Sequence, residues 1–365
     1  MTGAEAARAF YTEARLQRQG AAPEPVRATL FGKEAVQGLD AAAHQARKAA
    51  LLSILKPDNV ARLVRRVRKY WGSFDRWAPP GYRLPLYETS GHVLTLSVCE
   101  WLGIPIRQGN LPALSADVTS LFNDAAGPRH LKARRARRRL ERWLADLIGK
   151  ARAAPPTGSA AWPLFHALIF LQDADAHPLA PRVAAVEVLN LIRPVVAVSV
   201  YIVWMAHALL CFPGIRATLA NGDSRYRKAF VEEVRRFYPF FPAVMARVSE
   251  SFTWKGHEFH EGARVLLDIH GTNRDPRRWH EPDTFQPERF LYQNHDAYAF
   301  VPQGGGDART GHRCPGEETA VAIMLASIDV LLARLPSSSL IGRDLAINDR
   351  RMPAMPAKPL YIARR

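Results

Sequence analysis

Apolar positions recur every three or four residues along most of this chain. That spacing predicts helices over Ala41–Ile54, Val60–Trp71, Ser90–Leu102, Ser115–Phe122, Arg134–Ile148, Arg182–Leu210, Ser224–Tyr238 and Glu317–Arg334. Strand-like material is confined to Ala246–Ile269. There Ser251–Phe259 predicts a hairpin turning at Lys255-Gly256, and Arg264–Ile269 predicts a buried strand. The segment Pro336–Arg365, rich in Pro and Ser, predicts short strands and loops. The chain therefore reads as mainly α with a small β portion. Ala153–Ser159 is its clearest linker.

Composition narrows the class. The 365 residues are 48% hydrophobic, enough for a sizeable core. Three cysteines argue against a disulfide framework and fit a reducing, cytoplasmic setting. The first residues, Met1–Arg8, lack the apolar stretch of a signal peptide. The longest apolar run, Val195–Leu210, is short for a membrane span, and Arg193, Pro194 and His207 lie in or beside it, so it reads as a core helix. A net charge of +16 raises the possibility of nucleic-acid binding. The densest basic run, Arg129–Trp143, however carries Leu131, Leu140, Trp143 and Leu144 at helical spacing. It reads as a packed helix with a solvated basic face, and no nucleic-acid motif accompanies it.

The chemistry concentrates in Phe300–Gly316. Gly304, Gly305, Gly306 and Gly311 let the backbone approach something large and flat. Cys314 follows, then Pro315 and the helix from Glu317. Glu317 stands three residues after Cys314, the capping-box spacing. The sulfur is therefore expected at a helix N-terminus with a lowered pKa, as a soft metal ligand. Cys99 and Cys211 read instead as small buried hydrophobes.

Three further constellations stand out. Glu233 and Arg236 lie at i,i+3 before Tyr238-Pro239, and Pro287-Glu-Arg289-Phe290 follows. Glu232/Arg235 is an overlapping register that the position of Pro239 disfavours. Arg193-Pro194 interrupts the longest apolar helix. An arginine there needs an anion, and Glu187 lies on another face. The residues alone leave two readings: an anion-binding arginine, or one that reaches water or an aspartate elsewhere. Pro194 should kink or open the helix by freeing the carbonyl of Asn190. His44 and Lys48 lie one turn apart. Taken alone they read as a solvated face, though both can donate to an anion.

Together these segments resemble the cytochrome P-450 superfamily, and within it the hydrogen-peroxide-dependent fatty-acid peroxygenases. The match runs through Phe300, the glycine run, His312, Cys314 and Gly316, the Glu233-x-x-Arg236 helix, Pro287–Phe290 and Arg193-Pro194. The resemblance implies a cytochrome P-450 fold spanning 1–365 as a single haem-thiolate domain, with haem b held by Cys314. His44, Lys48 and His312 would meet the haem propionates. Glu233, Arg236 and Arg289 would form a structural ion network holding the cysteine loop. In oxygen-using members the long helix carries an acid followed by Thr; here Arg193-Pro194 stands instead. Arg193 would bind the fatty-acid carboxylate, which would then act as general acid–base on hydrogen peroxide, with no redox partner. Oxidation would fall on Cα or Cβ, with Gln37 in the distal pocket favouring hydroxylation over loss of carbon dioxide and Phe31 and Phe240 lining the acyl pocket. No nucleic acid and no stable membrane insertion are expected. Members of the family begin with a few dozen further residues, so the chain reads as N-terminally shortened, with unpaired sheet edges and a more open mouth. Three alternatives stand beside this reading: a haem-binding but catalytically impaired fragment, a fatty-acid decarboxylase forming terminal alkenes, and a basic nucleic-acid-binding protein.

Overall fold

The computed structural model describes residues 1–74, 82–153, 163–292, 295–335 and 345–363. Its helices are α1 (Ala4–Thr12), α2 (Ala41–Ile54), α3 (Pro57–Ser73), α4 (Leu86–Leu102), α5 (Leu111–Asn123), α6 (His130–Ala153), α7 (Pro163–Ile169), α8 (Pro181–Cys211), α9 (Pro213–Ala220), α10 (Ser224–Phe237) and α11 (Glu317–Arg334), with a few single turns between them. All eight predicted helices are present, four of them extended by about a turn. Two of these additions carry a proline at their first or second position, Pro57 in α3 and Pro112 in α5, where the missing N–H is needed least. The linker expected over 153–159 falls largely outside the described residues.

Helices dominate and the strands are few and short, the mainly α class with a small β portion expected from the sequence. The central element is α8, packed against α4, α5, α6, α10 and α11. It is long and apolar enough to cross a membrane, yet 83% of its most apolar window is buried in the protein, as expected for a core helix. The helix does not open at Pro194 but runs unbroken from Pro181 to Cys211. The basic helix α6 buries Ala133, Ala136, Leu140, Leu144 and Ile148. Leu131, counted above with its apolar stripe, is 63% exposed: nine residues before Leu140, at about 100° per residue, it falls on the opposite face of α6 from the buried Ala133, Leu140 and Leu144.

A second, smaller core gathers α1 and the main sheet. That sheet has the order β1 (Leu16–Gln17), β3 (Ala243–Val248), β6 (Arg264–Asp268), all antiparallel. A separate pair joins β2 (Arg83–Pro85) to β9 (Tyr361–Ala363). The predicted hairpin forms as β4 (Phe252–Trp254) and β5 (His257–Phe259) around Lys255-Gly256, whose φ angles of +51° and +77° make the tight reversal. Strand β6 is not buried on both faces as predicted: Val265 and Leu267 point inward, whereas Leu266 is 50% exposed. The last short pair is β7 (Ile347–Asn348) with β8 (Met355–Pro356).

Candidate active site

The segment Phe300–Gly316 folds against its own surroundings. A Cβ at Gly304, whose φ is +101°, would lie 2.9 Å from the Tyr11 hydroxyl, and one at Gly305 would lie 3.0 Å from Val301. At Gly311 it would meet the Asp307 carbonyl at 2.9 Å. Contact with α1 and the loop's own turn therefore leaves no room for a side chain at these glycines.

Cys314 donates its amide N–H to Gln303 O at 3.0 Å, and the Gln303 amide nitrogen lies 3.7 Å from Sγ. No capping box forms. Helix α11 begins at Glu317 with Gly316 as its cap and no side-chain cap bond. The Glu317 carboxylate instead accepts from Arg235 and, at 2.6 Å, from Arg313. The expected lowering of the thiol pKa is also reversed in the free thiol. Burial pushes it up, and the Gly316 amide, Lys48 and Arg193 only partly oppose this.

Sγ faces a largely apolar cavity of about 290 Å³. Helix α8 contributes Arg193, Pro194, Ala197, Val198 and Tyr201 to its lining. Phe31, Gln37, Phe240, His44, Lys48 and His312 line it as well, so every cavity residue singled out in the sequence meets here. Gly32, at φ +91°, places Phe31; a Cβ there would lie 2.8 Å from Val186.

Arg193 is 6% exposed. Its guanidinium reaches only the Asn190 side-chain oxygen, at 3.5 Å, and Nε has no partner among the described residues. Glu187 does not pair with it. That carboxylate is taken by Arg47 at 2.7 Å, by the Val36 amide and by Asn190 Nδ2. Burial lowers the pKa of Arg193 to about 9; the nearby Arg137 adds to this and Cys314 opposes it. A buried cation on the wall of an apolar cavity, with no carboxylate against it among the described residues, is a site prepared for an anion. The Gln37 side-chain oxygen is likewise buried without a partner among the described residues.

His44 and His312 stack at 4.0 Å, and His312 Nε2 lies 3.2 Å from Asp40. Burial lowers the pKa of His44 to about 4, helped by His312 and Lys48. Both imidazoles are therefore neutral near pH 7 and offer hydrogen bonds rather than charge, since burial lowers His312 as well. The Lys48 ammonium donates to the carbonyls of Gly311 and Arg313, tying α2 to the loop. Burial lowers it to about 8, with Cys314 and Asp307 opposing.

Glu233 and Arg236 form a bidentate pair with both contacts at 2.7 Å and neither side chain exposed. Arg289 Nε lies 3.3 Å from the same carboxylate. Arg236 also donates to the Asn273, Pro282 and Thr284 carbonyls, and the Asn273 side chain accepts the Val301 N–H at 2.8 Å. The pair thereby reaches the start of the loop. The register disfavoured from sequence is used at the same time: Arg235 pairs with Glu232 and with Glu317, at the loop's far end. Both registers form because their arginines point to different partners from one helix.

Sequence reasoning missed Asp40, Gln303, Tyr11 and the Arg235–Glu317–Arg313 chain. Asp40 had a signal, a carboxylate just before the apolar pattern of α2. It does not cap that helix; it accepts from the Arg18 and Gln19 amides and from His312. Burial would raise its pKa, but these hydrogen bonds win and hold it at about 2. Cys211, expected to be a small buried hydrophobe, is only partly buried, and its sulfur lies 3.6 Å from His207 Nδ1.

The family model for cytochrome P450 matches residues 223–361. Curated relatives match 30–31% of the chain. Tabersonine 16-hydroxylase 2 of Catharanthus roseus is 34% identical over 116 residues, and Cytochrome P450 71D18 of Mentha gracilis is 30% identical over 117. The matched segment spans about a fifth of these relatives' length, 21% and 22%. Solved structures match further. Cytochrome P450SP alpha (CYP152B1) in complex with (R)-ibuprophen superimposes with a TM-score of 0.91 and 38% identity, covering 100% of this chain and 89% of that one. Cytochrome P450EX alpha (CYP152N1) with myristic acid gives 0.92 and 36%, covering 100% and 87%. A single-residue variant of cytochrome P450 OleT in complex with arachidonic acid gives 0.92 and 26%, with the same coverage.

Proposed function

The chain belongs to the cytochrome P450 superfamily and is related over its whole length to CYP152 enzymes; from that premise we propose that it uses hydrogen peroxide to hydroxylate long-chain fatty acids at the α or β carbon. It is an oxidoreductase whose cofactor is haem, held in this family by a cysteine thiolate. The residues present fit that group. One soft donor, Cys314, faces an apolar cavity beside a helix start, and His44, Lys48 and His312 stand together at one side to receive the propionates. Cys314 would hold the iron in this reading, and a bound metal would favour the thiolate that burial alone disfavours. When bound, haem supplies the oxidation chemistry, and a thiolate ligand favours O–O cleavage.

The observation that carries the reading is Arg193, a buried cation without a carboxylate among the described residues, on the cavity wall. Its planar fork binds a carboxylate bidentately. Pro194, next to it, has neither acid nor hydroxyl, so this pair of positions on α8 supplies no proton carrier. The fatty-acid carboxylate held by Arg193 fills that role, taking a proton from one peroxide oxygen and returning it to the other. Phe31 and Phe240 pack the acyl chain, and the anchored head leaves Cα and Cβ as the reachable positions. Gln37 is a neutral amide and carries no proton, which favours hydroxy acids over loss of carbon dioxide. Glu233, Arg236 and Arg289 hold the loop that carries Cys314. No redox partner is needed.

The first test is spectroscopic. The haem-loaded protein is expected to give the shifted ferrous–CO band of a thiolate ligand, and Cys314→Ala to lose it together with peroxide turnover. Retention of the band in that variant would remove Cys314 from its role.

A further inference from the structure

A line of oxidisable side chains leaves the cavity along α8. Tyr201 lines the cavity. Trp204 follows one turn later on the same face, roughly 4.5 Å along the axis. Its ring stacks on Tyr238, with centroids 4.4 Å apart and planes 11° from parallel. Tyr238 is 2% exposed, and its hydroxyl lies 2.8 Å from His207 Nδ1. His207 Nε2 lies 2.8 Å from the Leu345 carbonyl. A carbonyl only accepts, so Nε2 carries the imidazole proton and Nδ1 is a free base accepting from the phenol. Cys211, partly buried at the end of α8, has its sulfur 3.6 Å from Nδ1 and 3.7 Å from Nε2 of the same ring.

The proton partner sets Tyr238 apart. A phenol that loses an electron must shed its proton at once. Among the described residues the Tyr201 hydroxyl and the Trp204 N–H have no hydrogen-bond partner, so an electron taken from either leaves a proton stranded in the core. Tyr238 alone of the three has a base in contact with its hydroxyl.

We propose that Tyr238 and His207 form a proton-coupled redox pair that drains oxidising equivalents from the cofactor site when hydrogen peroxide reacts with no fatty acid bound, and discharges them through Cys211 to a small thiol donor. In each pass one electron leaves Tyr238 toward the cavity through Trp204 and Tyr201, and the phenol proton moves to Nδ1. The Cys211 thiol refills Tyr238 with an electron, His207 returns the phenol proton, and the thiol proton goes to solvent. The donor thiol then restores Cys211 by giving up a hydrogen atom. Two passes reduce one hydrogen peroxide to two waters and couple two donor thiols into a disulfide, so atoms and electrons balance. This inference rests on the peroxide-using reading above and adds a thiol peroxidase activity that protects the enzyme.

The test uses haem-loaded protein mixed with hydrogen peroxide in the absence of fatty acid and frozen for electron paramagnetic resonance. A tyrosyl signal is expected that narrows when ring-deuterated tyrosine is incorporated. It should vanish in Tyr238→Phe, which keeps the stacked ring, and in His207→Gln, which keeps a donor to Leu345 but no base. In the native protein, radical trapping and mass spectrometry should place adducts on Tyr238 or Cys211, a readout that holds even if a variant fails to fold. An unchanged signal in a haem-replete Tyr238→Phe, or adducts only elsewhere, overturns the proposal. Fatty-acid turnover by peroxide in the same preparation separates the two ideas. Active enzyme without a Tyr238 radical sinks the redox pair alone, whereas protein inert to peroxide sinks the parent reading and this one with it.

Discussion

Replacing Arg193 by Met removes a charge the free protein holds at a loss, and its consequences run in opposite directions for stability and for binding. The fall in pKa from 12.5 to about 9 corresponds to roughly 5 kcal/mol at 1.36 kcal/mol per pH unit, an upper bound on the penalty of keeping this guanidinium charged. Met is apolar, unbranched and a good helix former, so the ligand-free variant should gain about 1–4 kcal/mol, the range seen when buried ions are replaced by well-packed apolar groups. A fatty acid should then lose most of its affinity. Truncating one side of a buried charge pair costs about 2–5 kcal/mol, roughly a 30- to 4000-fold rise in Kd. Titration of fatty acid against the haem absorbance gives the affinity, and denaturant melts with and without ligand give the stability. Native protein should be stabilised by saturating fatty acid, by about 2.7 kcal/mol at one hundred times Kd, and the variant should not respond. An unchanged Kd, or a ligand-free variant less stable than the native protein, would refute the assignment of Arg193 as an unpaired cation awaiting a carboxylate.

Two further outcomes follow from the networks behind the cavity. Arg236→Ala leaves Glu233 buried with Arg289 as its only remaining cation within ion-pair reach among the described residues, and should cost about 3–5 kcal/mol in a urea melt and lower haem content. Asp40→Asn removes a carboxylate whose folded pKa, about 2, lies below its ordinary 3.8. A depressed acid stabilises the fold above its ordinary pKa and loses that contribution as pH falls, so the native-minus-variant difference should be full near neutral pH and shrink from about pH 4 down to about 2 in melts at stepped pH.

Much of the cavity was legible because its chemistry is written locally. Cys314 between a glycine run and a helix, and Arg193-Pro194 within an apolar helix, are departures from the surrounding pattern that a one-dimensional reading detects. Side chains whose meaning depends on distant partners were not. Asp40 meets His312 from 272 residues away, and Tyr11 packs under Gly304 from α1, a helix of only nine residues at the far end of the chain. The capping box failed because Glu317 finds two arginines that compete with the local amide. Leu131 failed because its spacing of nine from Leu140 is half a turn out of phase with the buried face of α6. Tyr238 and His207 drew no attention as a pair, since they lie on different elements and each is ordinary on its own.

The functional reading stands or falls on whether the substrate's own carboxylate supplies the acid–base chemistry. Purified haem-loaded protein should be given hydrogen peroxide, with no reductase or nicotinamide cofactor, and either a saturated long-chain fatty acid or the alcohol of the same length, with products resolved by mass spectrometry. Rapid formation of α- or β-hydroxy acids in excess of terminal alkene is expected, with little reaction of the alcohol. Equal rates on acid and alcohol, or turnover only with an electron-donating partner and oxygen, would contradict it.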